Sequence, residues 1–213
     1  MKVAKFGGTS LASAEQIKKV AKIITSDPDR RLIVVSAPGK RFKEDTKVTD
    51  LLIKCAEDKL KTGRAEETLQ AVIARFQEIA EGLNLSKSIV ETIADDLNSR
   101  LSIDTSNKER FMDAVKAAGE DNNAKLVASY LQSIGYQAEY VNPRDAGMLV
   151  TPTFGNAQLL DKSYELLSRL KEREGILIFP GFFGYSEAGD IVTFSRGGSD
   201  VTGSILAAAI QAD

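Results

Sequence analysis

The sequence predicts an α/β protein of three layers, with helices on both sides of a mainly parallel sheet and a helical subdomain inserted at about residues 50–115. Three observations predict it. Two runs, Leu32-Ile33-Val34-Val35 and Ile176-Leu177-Ile178-Phe179, are continuously apolar and rich in β-branched residues, the mark of strands buried on both faces. A strand, a helix and a strand open the chain in succession, which implies a right-handed parallel crossover. From about Val48 to Ile134 the pattern is helical almost throughout, with no strand between.

The elements follow in order. Residues 2–6 alternate as a short strand that ends in Gly7-Gly8. In the next helix Ile17, Val20, Ala21 and Ile24 recur at the spacing of one helical face, with Ser13 and Gln16 as a capping box. Asp27-Pro28-Asp29 closes that helix and the first doubly buried strand follows. Lys40 to Lys47 is too charged for core and reads as a surface loop. The helical stretch shows apolar faces at Val48/Leu51/Leu52/Cys55, Leu69/Val72/Ile73/Phe76/Ile79/Ala80 and Val127/Tyr130/Leu131/Ile134, with breaks near Gly63, Gly82, Asp104 to Asn107 and Gly119. Strands resume at Gln137 to Val141, with a short one at Met148 to Thr151, and a helix at about Asp161 to Glu172 leads into the second buried strand. Gly181, Gly184 and Gly189 mark a loop or hairpin, with Ile191 to Phe194 as its return strand. The last element, from Ser199 to about Ala212, is a helix with an apolar side at Val201, Ile205 and Ala208. A helix of this type ordinarily crosses to a further strand, so the chain reads as part of a longer protein, with a terminal helix packed on the sheet as the alternative.

Composition narrows the chemistry. At 43% hydrophobic residues over 213 positions there is apolar material for one large domain or two small ones. With 28 basic against 30 acidic residues, the net charge of −2 offers no general attraction for nucleic acid or anionic membranes. No apolar run approaches the about 20 residues of a membrane span, and the start lacks the apolar core of a signal peptide, so a cytoplasmic protein is expected. The single Cys55 falls on a helical apolar face and reads as a buried thiol. There is no histidine, which removes Ser-His-Asp and Cys-His catalysis and the commonest zinc ligand. Chemistry must therefore run on Lys, Arg, carboxylates, hydroxyls and backbone N–H groups, with magnesium as a further option.

Two constellations fit that restriction. In Lys5-Phe6-Gly7-Gly8-Thr9-Ser10 a strand delivers a lysine and turns at once through two glycines and two hydroxyl residues. Glycine lets backbone N–H groups approach an anion closely, Lys5 adds a point charge and Ser10 a further donor, so the segment reads as a phosphate cradle. The spacing is neither a Walker A loop nor a G-x-G-x-x-G fingerprint, and a glycine pair after a strand is by itself more often only a turn. In Ser195-Arg196-Gly197-Gly198-Ser199-Asp200-Val201-Thr202 a glycine pair follows a cation and leads into a helix. Arg196 can grip a carboxylate through two parallel hydrogen bonds; Ser199 or Asp200 can serve as a helix cap or as a ligand. Two such turns at strand ends suggest one site where the carboxyl ends of parallel strands converge. Thr49 and Glu120 stand at helix starts, where each is a cap, a dipole partner or a ligand. Ser36 ends a strand, and Phe182 and Phe183 lie between glycines as pocket lining or core.

At Lys5 to Ser10 the sequence resembles the K-F-G-G-T-S signature of aspartate kinases, within the amino acid kinase family, residue for residue. Arg196-Gly197-Gly198-Ser199-Asp200, with Thr202 two positions on, resembles the second signature of that family. Val34 to Ala37, Val48 to Leu52, Gly119-Glu120 and Pro180 to Gly184 resemble further pieces in the same order, so the likeness runs along essentially the whole chain. It implies an amino acid kinase-like catalytic domain over residues 1–213, shortened on its C-terminal side, since aspartate kinases continue into further nucleotide-binding segments and regulatory ACT domains. It implies transfer of the ATP γ-phosphoryl group to the side-chain carboxylate of L-aspartate, giving 4-phospho-L-aspartate for lysine, threonine and methionine biosynthesis, with Mg²⁺ brought by ATP and not held by protein ligands. A homo-oligomer is implied for the full-length protein. By the match, Lys5, Gly7, Gly8 and Ser10 hold the phosphoryl region, and Lys5 and Asp200 are catalytic. Thr49, Glu120, Arg196, Ser199 and Asp200 would hold aspartate, Glu120 pairing its ammonium and Arg196 a carboxylate, with Ser36 and Phe182 lining the same pocket. Another small-molecule kinase of this fold, or a non-catalytic amino-acid-binding module, is the competing expectation.

Overall fold

A computed structural model describes residues 1–195 and 197–213. Its main sheet has four parallel strands in the order β1-β2-β4-β3: β1 (Lys2–Phe6), β2 (Arg30–Val35), β3 (Ala138–Tyr140) and β4 (Ile176–Pro180). The strands expected at residues 2–6, 32–35, 137–141 and 176–179, and their parallel arrangement, are present. Alternation along the strands builds two cores at once. Ile33 and Val35 of β2 and Ile178 of β4 face one layer, whereas Leu32, Val34, Leu177 and Phe179 face the other. All seven are fully buried, and each such side chain contributes roughly 1.5–3 kcal/mol.

The first layer holds α1 (Ala14–Thr25), α2 (Val48–Thr62), α3 (Glu66–Gly82), α4 (Lys87–Leu101), α5 (Lys108–Lys116) and α6 (Ala118–Ser133). Helix α1 buries Ile17, Val20, Ala21 and Ile24, and the Ser13 hydroxyl accepts the Gln16 N–H at 3.4 Å, as the capping pattern predicted. Gly63 ends α2 in the left-handed conformation (φ +77°). Helices α2 to α5 follow one another with no strand between, and their apolar faces share one core with α1 and the sheet. The break expected near Gly119 falls at Ala117, between α5 and α6. A buried charge cluster joins two of these helices: Arg100 on α4 pairs with Asp121 on α6 at 2.6 Å and with Asp96 at 2.9 Å.

The short helix α7 (Pro143–Ala146) leads toward the second layer, formed by α8 (Lys162–Ser168), its 3₁₀ continuation Arg169–Glu172, and α9 (Gly198–Ile210). The hairpin β5 (Phe183–Tyr185) and β6 (Ile191–Thr193) is antiparallel, as the glycine spacing predicted. The strand expected at Met148 to Thr151 makes only isolated bridges, Leu149 with Tyr185 and Val150 with Leu159. Helix α9 corrects the expected face: Val201 and Ala208 are exposed, and Thr202, Ile205, Leu206, Ala209 and Ile210 are buried. The segment is apolar or small almost all round, so periodicity does not single out its packed side. Among the described residues no helix is long and apolar enough to cross a membrane.

The polar loop at 40–47 is on the surface, closed at its neck by the Val48 N–H on the Pro38 carbonyl at 3.0 Å. One of its side chains is nonetheless interior. Asp45 pairs at 2.8 Å with Arg75 of α3, which also donates to the carbonyls of Ala12, Gly39 and Thr46. Arg41 is the second cation on Asp45, at 2.9 Å, and its hydrogen bonds above all, with the Arg75 charge behind them, hold the Asp45 carboxyl well below the usual carboxylate range.

Candidate active site at the strand ends

The carboxyl ends of β1, β2 and β4 open on one side of the sheet, and the segments leaving them form the floor of a cleft. Beyond β1, Gly7 keeps an extended backbone (φ −81°, ψ 166°) and Gly8 begins a 3₁₀ turn in which the Ser10 N–H is bonded to the Gly7 carbonyl at 3.0 Å. Neither glycine has a positive φ, and at Gly8 the need for glycine is one of space. A Cβ on Gly8 would lie 3.0 Å from the Ala37 carbonyl oxygen, and one on Gly39 would lie 2.5 Å from the Gly8 carbonyl carbon. The segments after β1 and β2 thus touch backbone to backbone, joined by the Gly39 N–H on the Gly8 carbonyl at 2.8 Å. Thr9 and Ser10 are exposed at the rim.

Lys5, on the α9 side of β1, lies under the start of that helix, where Gly203 approaches the Lys5 Cβ to within 3.6 Å of its own would-be Cβ. Its Nζ meets the Asp200 carboxylate at 2.8 Å. Helix α9 starts from Gly197 in the left-handed conformation (φ +83°) with no side-chain cap. The capping alternative for Ser199 and Asp200 is therefore set aside: Asp200 turns to Lys5, and Ser199 is buried against Gly181, where a Cβ would stand 2.7 Å from it. Arg196 lies outside the described residues.

One cavity of about 180 Å³ brings together Lys5, Ser36, Thr49, Glu120, Phe182, Ser199 and Asp200. Gly197 and Gly198 complete its wall, while Gly7, Gly8 and Ser10 stand beside Lys5 and do not line it. Ser36 is anchored by its N–H on the Phe6 carbonyl at 3.1 Å, and its carbonyl accepts from Asn123 at 2.7 Å. Thr49 sits in the first turn of α2 without capping it, since Lys47 occupies the cap position. Among the described residues no group of three or more His, Cys, Asp or Glu side chains could hold a metal ion.

Glu120, in the first turn of α6, is 5% exposed, and its Oε2 has no hydrogen-bond partner. Burial pushes its carboxyl up to about 7; the backbone N–H groups of Ala37 and of Glu120 itself, and the charges of Lys47 and Lys5, pull only partly the other way. A buried carboxyl oxygen with spare acceptor capacity, facing a polar cavity, is a site for a cationic donor.

Phe182 follows β4 with φ +81°, a left-handed backbone that costs an L-residue with a bulky side chain about 1–2 kcal/mol. Its N–H donates to the Thr202 hydroxyl at 3.0 Å, its carbonyl accepts the Phe194 N–H at 2.8 Å, and Lys116 Nζ lies 5.8 Å from its ring centroid. Lys116 is held by Asp113 at 2.9 Å, whose carboxylate also takes the N–H groups of Gly155 and Thr193. Sequence reasoning placed Thr202 only in a motif and passed over Lys116 and Asp113. Thr202 stands four residues after Gly198, one helical turn on, which is the signal that could have found it.

Residues 1–213 match the model of the amino acid kinase family. The chain is 61% identical over 213 residues to Aspartokinase 3 of Bacillus subtilis (strain 168), covering 100% of this chain and 47% of that protein. Its structure is similar to a crystal structure of Clostridium acetobutylicum aspartate kinase, with TM-score 0.83 and 36% identity, over 100% of this chain and 46% of that one. It is also similar to E. coli aspartokinase III in complex with aspartate and ADP (R-state), with TM-score 0.82 and 30% identity, over 100% and 47% of the two chains. The chain spans about half the length of these relatives.

Proposed function

The chain belongs to the amino acid kinase family, and from that premise we propose that it forms the acceptor and phosphate-binding part of an aspartate kinase. The observation that carries this reading is the meeting, in one cavity, of the Lys5–Asp200 pair with a buried Glu120 that has an unpartnered oxygen. The ammonium of aspartate suits Glu120, since a cation beside it restores the ionised carboxylate that burial disfavours. Thr49, Ser36 and Ser199 offer neutral donors and acceptors for the rest of the amino acid, and Arg196 is proposed for a carboxylate. Lys5, with Gly7, Gly8 and Ser10 beside it, is proposed for the transferred phosphoryl group.

The chemistry asks for position and charge. A substrate carboxylate with an ordinary pKa of about 3.9 is ionised at neutral pH, so no general base is needed and the absence of histidine is no obstacle. Its oxygen attacks the γ-phosphorus, the bond to the ADP oxygen breaks, and an acyl phosphate forms. In a loose transition state charge spreads over the equatorial oxygens, and Lys5 is the cation placed to offset it while Asp200 fixes its ammonium. Mg²⁺, arriving with ATP, would offset the remaining phosphate charge. At the length of its relatives, the protein would supply adenine contacts from elsewhere, act as a homo-oligomer in the cytoplasm, and feed lysine, threonine and methionine synthesis.

The test is hydroxylamine trapping with the full-length protein and Mg-ATP. Aspartyl hydroxamate should form with L-aspartate and not with L-glutamate; no hydroxamate with aspartate would overturn the reading.

A further inference from the structure

We propose that Thr202 is a positioning residue for the acceptor substrate, acting through Phe182. The inference rests on the cavity being the aspartate site. Phe182 lines that cavity, and Thr202 does not. Thr202 is fully buried on α9, one turn into the helix.

The hydroxyl of Thr202 is used in both directions. It accepts the Phe182 N–H at 3.0 Å and donates its own proton to the Gly198 carbonyl at 3.0 Å, so its orientation is fixed. Phe182 needs such a hold because its backbone is left-handed at φ +81°, a conformation a phenylalanine leaves unless its neighbours enforce it. Two more contacts fix where the ring goes. Gly198 leaves it room, since a Cβ there would come within 2.7 Å of Phe182 Cδ2, and the Lys116 ammonium stands 5.8 Å from the ring centroid. Gly197, Gly198 and Ser199 lie on the same wall of the cavity as that ring. Thr202 therefore couples the start of α9 to the loop after β4 and sets how both present themselves to the amino acid. The Lys5–Asp200 ion pair itself makes no use of this hydroxyl.

The Thr202→Val variant keeps the shape and removes both hydrogen bonds. In the full-length enzyme it should raise KM for aspartate about tenfold, leave KM for ATP within about twofold, and leave kcat within about threefold. Thr202→Ser should restore aspartate KM to within about twofold of wild type. An unchanged aspartate KM, or equal rises for both substrates, would overturn the proposal. Should Thr202→Val fold poorly, the cycle with Phe182→Gly decides: glycine accepts φ +81° unaided, so Thr202→Val should cost less stability in that background than in wild type, and strict additivity counts against the clamp. Wild-type enzyme that turns over aspartate while Thr202→Val is indifferent removes this inference alone. Wild-type enzyme that turns over no aspartate removes it together with the functional reading beneath it.

Discussion

Lys5 and Asp200 meet at 2.8 Å and tie the end of the first strand to the first turn of the last helix. The two come together from 195 positions apart in sequence (200 − 5) only because β1 lies against α9, and the carboxylate end of the pair is exposed. The pair is thus poor as a staple and well placed as a charge device.

Lys5→Ala in the full-length protein should lower kcat by at least about a hundredfold, because the variant lacks the cation proposed to face the transferred charge. Aspartate affinity should change less than about threefold, and stability should move by no more than about 0.5 kcal/mol, as for exposed pairs. Steady-state kinetics, calorimetric titration with aspartate and a urea melt check the three parts. Full activity in this variant would end the assignment of Lys5.

If Glu120 holds the substrate ammonium as proposed, aspartate binding must depend on pH, with a definite sign. Its folded carboxyl titrates at about 7, above its ordinary value of 4.5, so the ligand-free protein holds that proton until pH rises through 7. Binding of an ammonium requires the ionised form. Aspartate affinity should therefore rise between pH 6 and 8, roughly tenfold per pH unit at the acid end, with proton release seen as a buffer-dependent enthalpy. The sign for stability is opposite. The raised group helps the fold below pH 4.5, and that help is lost as pH rises through 7. Glu120→Gln should flatten both profiles and leave the ligand-free protein at pH 8 more stable by roughly 1–3 kcal/mol.

Arg75→Met should destabilise by roughly 1–3 kcal/mol, since it leaves the Gly39 and Ala12 carbonyls short of a donor and takes from Asp45 one of its two cations, Arg41 remaining. The wild-type contribution is present at neutral pH and falls away as pH drops below the ordinary carboxylate range, because Asp45 is held in its ionised form. Chemical denaturation at pH 7 and pH 3 should show the variant's deficit shrinking in acid.

Much of this was legible because burial imposes periodicity. Ile17, Val20, Ala21 and Ile24 announced α1, and the runs in β2 and β4 announced a sheet covered on both faces. Lys5 and the Arg196 to Asp200 segment announced a polar site at strand ends. What escaped depends on partners distant in sequence. Asp45 belongs to a loop that reads as surface and Arg75 carries no signal of burial, since nothing local says that they meet 30 residues apart. Phe182 carries no glycine or asparagine signal for its left-handed backbone, and the partners that hold it, Thr202 at 20 residues on and Phe194, are distant in sequence. The exposed Val201 and Ala208 show the opposite failure: where a helix is apolar all round, periodicity cannot choose a face.

Gly39→Ala should cost about 1–3 kcal/mol and raise KM for ATP, because its methyl would press on backbone atoms of Gly8 and Thr9 at 2.5–2.8 Å. Gly63→Ala is the contrast. There the space is open and φ is +77°, so about 1 kcal/mol of backbone strain is expected with no change in either KM. Equal kinetic effects from the two would mean that crowding beside the phosphate segment is irrelevant.

Strand β2 belongs to both interiors, Leu32 and Val34 to one and Ile33 and Val35 to the other. It therefore has no face that can open by itself, and its amides should exchange with solvent only when the molecule unfolds as a whole. Whatever movement accompanies turnover must be carried by the segments above Val35, over a base that stays still on the time scale of catalysis.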